Sequence, residues 1–506
     1  MLTTVLLIPL VAAILILFTD GNKAATIQKT ATIAVLLTFL GSLVLLFGYD
    51  ATNPEMQYVN SFQWVALLNI HFMIGVDGIS LWMVVLTAFL SIMAVRFSAG
   101  QAENPKYFLA LILLLETGML GVFVSLDLIL FYVFWEVMLI PTYFLIGLWG
   151  EGRRVYATTK FVLYTLVGSL LMLVGMIWLT VMHYTATHEL TFDIQTLVHT
   201  AVPAGSEQLI MFLFFFLAFA IKVPVFPFHS WLPHAYVSCP IPVLILVTGA
   251  MSKTGAYGLI RFCLPLFPDV IHDWGTWIAA AAVGGIIYGA WIAIAQKDLK
   301  ALVAYSSISH LGFVVLGIFA VNGNGMEGSV LQMVNHGIIA AALFIIVGII
   351  EQRLGTRNLD EFSGLKKSMP ILYGMFMLIT LAALGLPGLN GFVGEFLILL
   401  GVWTSSILKD MAVLFVLGAG LTIVFAAIYM LFMFQGAMQE KGKNLPAGLK
   451  DVSEMEAGLL VPACILILFI GLYPKPFIDT MTASVHKALH IEKTVQIHSE
   501  GGGGGH

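Results

Sequence analysis

Six ionisable residues stand where ionisable residues are costly. Glu136, Lys222, Lys253, His310, His336 and Glu395 each interrupt an apolar run of membrane-spanning length, and a charge at bilayer mid-depth costs about 2.5–3.5 kcal/mol on insertion scales. Carboxylates, amines and imidazoles share one chemistry: they take up and release protons, and opposite charges placed together tune one another. Lys222 is followed at once by Pro224 and Pro227 in FAIKVPVFPFHSW, and Glu395 is preceded by GLPGLNG. Proline removes a backbone donor and clashes with the preceding turn, so both helices are predicted to break near the membrane centre. Irregular backbone survives at that depth only where protein buries it or water lines it. The pattern points to a hydrated, charged interior that moves an ion.

The rest of the chain must hold that interior in a membrane. Of its 506 residues, 59% are apolar and 10% charged, with a mean hydropathy of +0.97, whereas soluble domains devote about 25% to charge. The opening MLTTVLLIPLVAAILILFTD has neither a basic leader nor a small-residue cleavage site, and reads as a retained first span. Cys239, Cys263 and Cys464 are scattered, without metal-ligand or disulfide spacing. No cofactor and no metal are therefore expected in this chain. Nothing resembles a nucleotide loop, and neither nucleic acid nor direct contact with NADH is expected.

Apolar windows of about 20 residues predict an all-α integral membrane protein with about fourteen helices. The spans are 3–18, 28–48, 76–95, 107–125, 128–149, 160–183, 208–228, 241–262, 276–295, 302–321, 328–350, 371–401, 408–435 and 456–473. Loop charge orients them. Odd-numbered loops carry sixteen lysines and arginines, from Lys23 and Lys29 to Lys441, Lys443 and Lys450, and even-numbered loops carry two, Arg261 and Lys409. Such a bias places the odd loops in the cytoplasm and both termini on the opposite side of the membrane. The long outer connections, 49–75 and 184–207, hold acidic residues only and read as lids.

Further candidates flank the six. Glu116 lies mid-helix in LLLLETGML, where a coupling role and a packing role are both open. His229 and His234 lie in the re-entrant connection PFHSWLPHAYVSCP, expected to face outward, as proton acceptors or as carbonyl-held interfacial residues. Asp77 and Ser80 at the mouth of the third span read as a helix cap.

The charged spans repeat. Helices 4–8 and 9–13 correspond in order, seven with twelve as broken helices and five with ten as bearers of Glu136 and His310. Five helices per unit is odd, so the second unit starts from the opposite face and the two are predicted to be inverted repeats. The expected organisation is 1–106 for helices 1–3, 107–262 for the first repeat, 276–435 for the second, 436–500 for helix 14 and its tail, and 501–506 as a glycine linker and tag.

At these residues the chain resembles a known family, the antiporter-like subunits of respiratory complex I and their relatives in multisubunit cation/proton antiporters. The resemblance rests on LDLILFYVFWEVMLIPTYFLIGLWG around Glu136, FAIKVPVFPFHSWLPHA around Lys222, SKTGAYGLIRF around Lys253, VAYSSISHLGF around His310, NHGIIAAALF around His336 and LPGLNGFVGEF around Glu395. One stretch departs from the family: HAYVSCPIPV stands where an acidic or polar turn leading into Ala-Pro-Thr is usual. The resemblance implies that Glu136 and Lys222 form a coupling ion pair, that Lys253, His310 and His336 form a connecting relay, and that Glu395 is the exit-side carboxylate. It implies FMN, iron-sulfur clusters and quinone in partner subunits, with antiporter-like neighbours in the membrane arm. Three functions compete: a proton-translocating subunit of a redox-driven complex, a subunit of a secondary sodium/proton antiporter, and a structural scaffold. A scaffold gives no reason for two broken helices and six buried ionisable groups.

Overall fold

The computed structural model describes residues 1–100, 103–200, 202–443 and 445–500, with residues 490–500 given by backbone alone. The segment read as linker and tag, 501–506, lies outside them. A helix or a pair of helical pieces occupies each of the fourteen spans, and among the described residues eleven helices are long and apolar enough to cross a membrane. The main helices, spanning and shorter, run in order α1 (Leu2–Phe18), α2 (Ala24–Phe47), α3 (Gly78–Phe97), α4 (Pro105–Val124), α5 (Leu128–Trp149), α6 (Arg154–Thr187), α7 (Ser206–Lys222), α8 (Leu232–Ser238), α9 (Ile241–Leu266) and α10 (Pro268–Ile294). There follow α11 (Leu299–Ile318), α12 (Gly323–Leu354), α13 (Pro370–Ala383), α14 (Asn390–Trp403), α15 (Ala412–Met438), α16 (Glu454–Leu472) and α17 (Lys475–Glu500). Side-chain caps fix several starts. Asp77 and Ser80 form a capping box on α3, Asp127 accepts from the Ile129 and Leu130 amides of α5, and Asp298 accepts from Ala301 of α11.

Burial sorts the helices into a centre and a rim. The hydrophobic windows of α9 and α12 are buried along their whole length, whereas only a third of those of α2 and α15 is buried. Rim helices such as α2 and α15 turn leucines and valines outward, as a lipid-facing surface requires. The two central helices touch through glycine: a Cβ on Gly337 of α12 would come within 2.8 Å of the Gly249 carbonyl of α9. This close approach brings the Lys253 and His336 helices together.

Connections gather at the two ends as the loop charges require. Odd-numbered loops meet one another through Trp149 to the Glu103 carbonyl, the Glu151 amide to Ser238, and the Leu299 amide to Arg357. Even-numbered loops meet through the Leu126 amide to Met73 and the Leu128 amide to Phe192. The seventh connection, with His229 and His234, therefore lies on the basic-loop face and not outward. Its odd parity requires that placement, because each span reverses the chain. Arg261 is also corrected: it lies inside α9 with a mostly buried side chain, paired with Asp77.

Two elements go beyond the helical prediction. The connection 49–75 contains an antiparallel hairpin, β1 (Gln57–Val65) and β2 (Ile70–Val76), with Phe62 stacked on Phe72 and Asn69 left-handed at the turn. The tail forms α17, which seals the end of α3: Ser484 Oγ accepts from the Gly78 amide at 2.9 Å, and Phe477 stacks on Trp82.

Candidate functional site

The first break falls at Lys222 itself, the last residue of α7. Pro224 and Pro227 contribute no amide hydrogens, and the carbonyl of Ile221 is taken up by the Trp231 indole at 2.8 Å, so a side chain replaces a lost helical donor. The second break separates α13 from α14, with Gly385 at φ +77° after the last turn. A Cβ on Gly385 would stand 3.1 Å from Glu395 Oε2. Both the backbone conformation and the space there favour glycine.

Four of the six residues form a connected row. Lys253 Nζ lies 2.7 Å from His336 Nδ1 and donates to the Thr248 carbonyl at 2.5 Å. The His336 and His310 rings face each other with centroids 5.8 Å apart, and His310 Nδ1 lies 2.9 Å from Glu395 Oε1. Gln332 donates to the same carboxylate oxygen at 3.3 Å. The row crosses from α9 through α12 and α11 to α14, and every member is buried. An amine, two imidazoles and a carboxylate in sequence can hand a proton from one end to the other by short transfers.

The remaining two do not join it by contact. Lys222 is buried, with its ammonium 5.1 Å from the Trp135 ring and 5.8 Å from the Phe161 ring. The ion pair that the family resemblance implies is not formed: no contact within 4.0 Å joins Lys222 Nζ to Glu136 among the described residues, and Glu136 Oε1 is buried without a hydrogen-bond partner among them.

The flanking candidates separate. Glu116 is fully buried and neither carboxylate oxygen has a hydrogen-bond partner among the described residues. His229 is buried between Phe226 and Tyr288, at 5.3 and 4.7 Å between ring centres, with Nδ1 unpartnered among the described residues. His234 is exposed and its Nδ1 lies 3.0 Å from the Ser230 carbonyl, so the carbonyl-held alternative describes it. Asp77 and Ser80 are the cap expected of them.

Sequence reasoning passed over Gln332 and Asn335. They share the α12 stretch LQMVNH with His336, and Asn335 donates to the Asn390 carbonyl of α14 at 2.7 Å. Three polar residues within five positions at the middle of a long, otherwise mostly apolar helix were the available signal. The π-helical turns of α9, Val247–Met251 and Leu259–Cys263, flank Lys253 and had no signal in hydropathy.

Comparison with known proteins gives a consistent result. The family described as NADH:quinone oxidoreductase/Mrp antiporter, TM matches residues 125–422. The chain is 35% identical over 491 residues to NADH-quinone oxidoreductase subunit M of Rickettsia conorii, covering 95% of this chain and 97% of the relative. It is 38% identical over 499 residues to the Escherichia coli K12 protein of the same description, covering 96% and 97%. Among solved structures it is similar to a chain of respiratory complex I from Thermus thermophilus with bound NADH, at a TM-score of 0.87 and 30% identity, covering 97% of this chain and all of that one. A chain of the Mrp complex from Dietzia sp. DQ12-45-1b shares the fold at a TM-score of 0.83 and 21% identity, covering 97% and 98%.

Proposed function

The chain belongs to the NADH:quinone oxidoreductase/Mrp antiporter family of membrane subunits, on the branch of the subunits M, and from that premise we propose that it moves protons through the buried row as a membrane-arm subunit of a bacterial NADH:quinone oxidoreductase, complex I. The observation that carries this reading is the connected line from Lys253 through His336 and His310 to Glu395. A line of titratable groups inside apolar helices is costly, and proton transfer is the use that offsets the cost. The chain contributes no redox step. FMN, the iron-sulfur clusters and the quinone site are assigned to partner subunits, in keeping with three scattered cysteines here. Antiporter-like neighbours flank it in the membrane arm. Basic loops face the cytoplasm and both termini the other side, by the loop charge bias.

Helices 4–8 and 9–13 act as two inverted units, each broken at its own charged site. Glu136 and Lys222 belong to the first, Lys253 joins it to the second, and the second ends at Glu395. The antiporter alternative is less well supported, because identity to the Mrp chain is 21% against 35–38% to the subunits M.

Moving one charge against 100 mV costs about 2.3 kcal/mol. Rearranging charges near Lys253 in a low-dielectric interior supplies energies of that order. The test is Lys253→Met in membranes that contain the assembled complex. Proton uptake by this subunit is expected to cease and quinone reduction to slow, since driving and driven steps are linked. Unchanged quinone reduction with a merely lower proton yield would exclude tight coupling, and unchanged proton uptake would exclude the site.

A further inference from the structure

The carboxylate that ends the connected row has two partners of different chemistry. His310 Nδ1 lies 2.9 Å from Glu395 Oε1, and Gln332 Nε2 donates to the same oxygen at 3.3 Å. An imidazole can take a proton from that oxygen or give one back. A carboxamide only lends its N–H hydrogens to a hydrogen bond. Gln332 can therefore hold the oxygen without entering the proton exchange.

It reaches that oxygen because α12 and α14 meet along a seam of glycines. A Cβ on Gly401 of α14 would collide with Gly325 of α12, and one on Gly328 of α12 would stand 2.8 Å from the Ile398 amide nitrogen. Next along the seam comes Gly394, the neighbour of Glu395. A Cβ there would collide with Gln332 Oε1, and would stand 3.0 Å from Gln332 Cβ and 3.2 Å from Asn335 Nδ2. The Gln332 amide thus occupies the space that any other residue at 394 would fill. The seam closes where Asn335 Nδ2 donates to the Asn390 carbonyl at 2.7 Å.

Both amides are buried, and Gln332 Oε1 and Asn335 Oδ1 have no hydrogen-bond partner among the described residues. An orphaned amide oxygen is unfavourable in an apolar interior, whereas an apolar side chain of the same shape avoids that penalty. The two residues are explained by what their N–H groups hold, which is the start of α14 and the carboxylate of Glu395.

We propose that Gln332 is the positioning residue for the row's transfer between His310 and Glu395: seated over Gly394, it keeps Glu395 Oε1 against His310 and leaves the proton to those two. This rests on the proton-translocating reading of the row. A glutamate side chain has several rotatable bonds, and one contact to an imidazole does not select a single rotamer. The second donor, mounted on a different helix, does. The selection matters because a displacement of about 1 Å between reacting groups can cost about 100-fold in rate.

The test compares Gln332→Met and Gly394→Ala with Glu395→Gln, in inverted membrane vesicles that carry the assembled complex, by initial proton uptake during NADH oxidation in light and in heavy water. Methionine is unbranched and fills a glutamine-shaped space but donates nothing. Alanine at 394 keeps Gln332 itself and fills its seat. Each is expected to slow transfer at this subunit by about tenfold and to raise the ratio of the rates in light and heavy water, because a misplaced carboxylate makes this proton transfer limiting. A purely structural loss lowers the number of working complexes and leaves that ratio unchanged. Parent-like uptake in Gln332→Met, or a loss in either variant without a rise in the ratio, overturns the positioning role, while an inactive Glu395→Gln keeps the reading of the row. If Glu395→Gln itself pumps normally, the reading beneath the proposal fails. Should Gly394→Ala not assemble, Gln332→Met decides alone.

Discussion

The two charged regions of this molecule solve the same electrostatic problem in different ways. Lys253 and His336 are in polar contact, as are His310 and Glu395, and the two imidazole rings face each other across 5.8 Å between centres. Lys222 and Glu136 do not touch, and Lys222 rests against Trp135 and Phe161 instead. A contacted row conducts by short hops and depends on geometry. A separated pair interacts through space, more weakly, and can be drawn together or apart by a small movement of the broken helix that carries Lys222. The contrast assigns conduction to the Lys253 region and modulation to the Lys222 region.

The largest expected effect tests the conducting half. Glu395→Gln leaves the shape of α14 unchanged but removes the carboxylate that His310 and Gln332 share. Loss of a proton acceptor in direct contact is expected to reduce transfer about 100-fold, measured as initial proton uptake in vesicles. A reduction as small as that of a distant charge would show that the row is not a conductor and would erase the contrast.

Glu136→Gln comes next. Beyond contact distance and at an effective dielectric near 20, one charge acts on another by about 2 kcal/mol, so transfer is expected to fall by about thirtyfold. Glu136→Asp, which withdraws the carboxylate, should fall between parent and Gln. Equal losses for Glu136→Gln and Glu395→Gln would mean that the first pair closes into contact during turnover, and the comparison would then need redrawing as two states of one arrangement.

Much of this was legible in the chain, for reasons that can be named. The fourteen spans are readable because hydrocarbon permits only helices with long apolar runs, and loop charge alternates with them. Both breaks are readable because proline and glycine act locally. His310 and His336 are individually ambiguous, and only the crossing at Gly249 and Gly337, which no local pattern encodes, makes them neighbours of Lys253 and of each other. The hairpin is obscured because Asn60, Ser61 and Gln63 dilute its alternation, while Asn69 supplies a turn that single-residue composition does not distinguish from any loop. Lys300 counts as one more basic loop residue until Glu151 and Cys239, from two connections, and Glu351, from the end of α12, are brought around it. The Glu136 and Lys222 contact fails for a similar reason. Spacing along a chain does not reveal which groups meet in space, and here the ammonium lies over the Trp135 and Phe161 rings.

That indole offers the finest test of the contrast. A desolvated cation over an aromatic face gains about 2 kcal/mol or more, and Trp135 is a bulky neighbour of Glu136 in the chain, so two effects oppose each other in Trp135→Leu. Loss of the cation-π contact destabilises the charged lysine, while the smaller side chain lets the carboxylate close in and stabilises it. The net change in transfer is therefore expected to be a few-fold at most, below that of Glu136→Gln, and to depend on residue 136. In the double variant Trp135→Leu, Glu136→Gln the compensating approach is gone, so the tryptophan replacement should cost more than it does alone. A double-mutant cycle on proton uptake measures that coupling. Strict additivity would show that Trp135 packs against Lys222 without setting its distance from Glu136, and the modulating role of the separated pair would lose its structural basis.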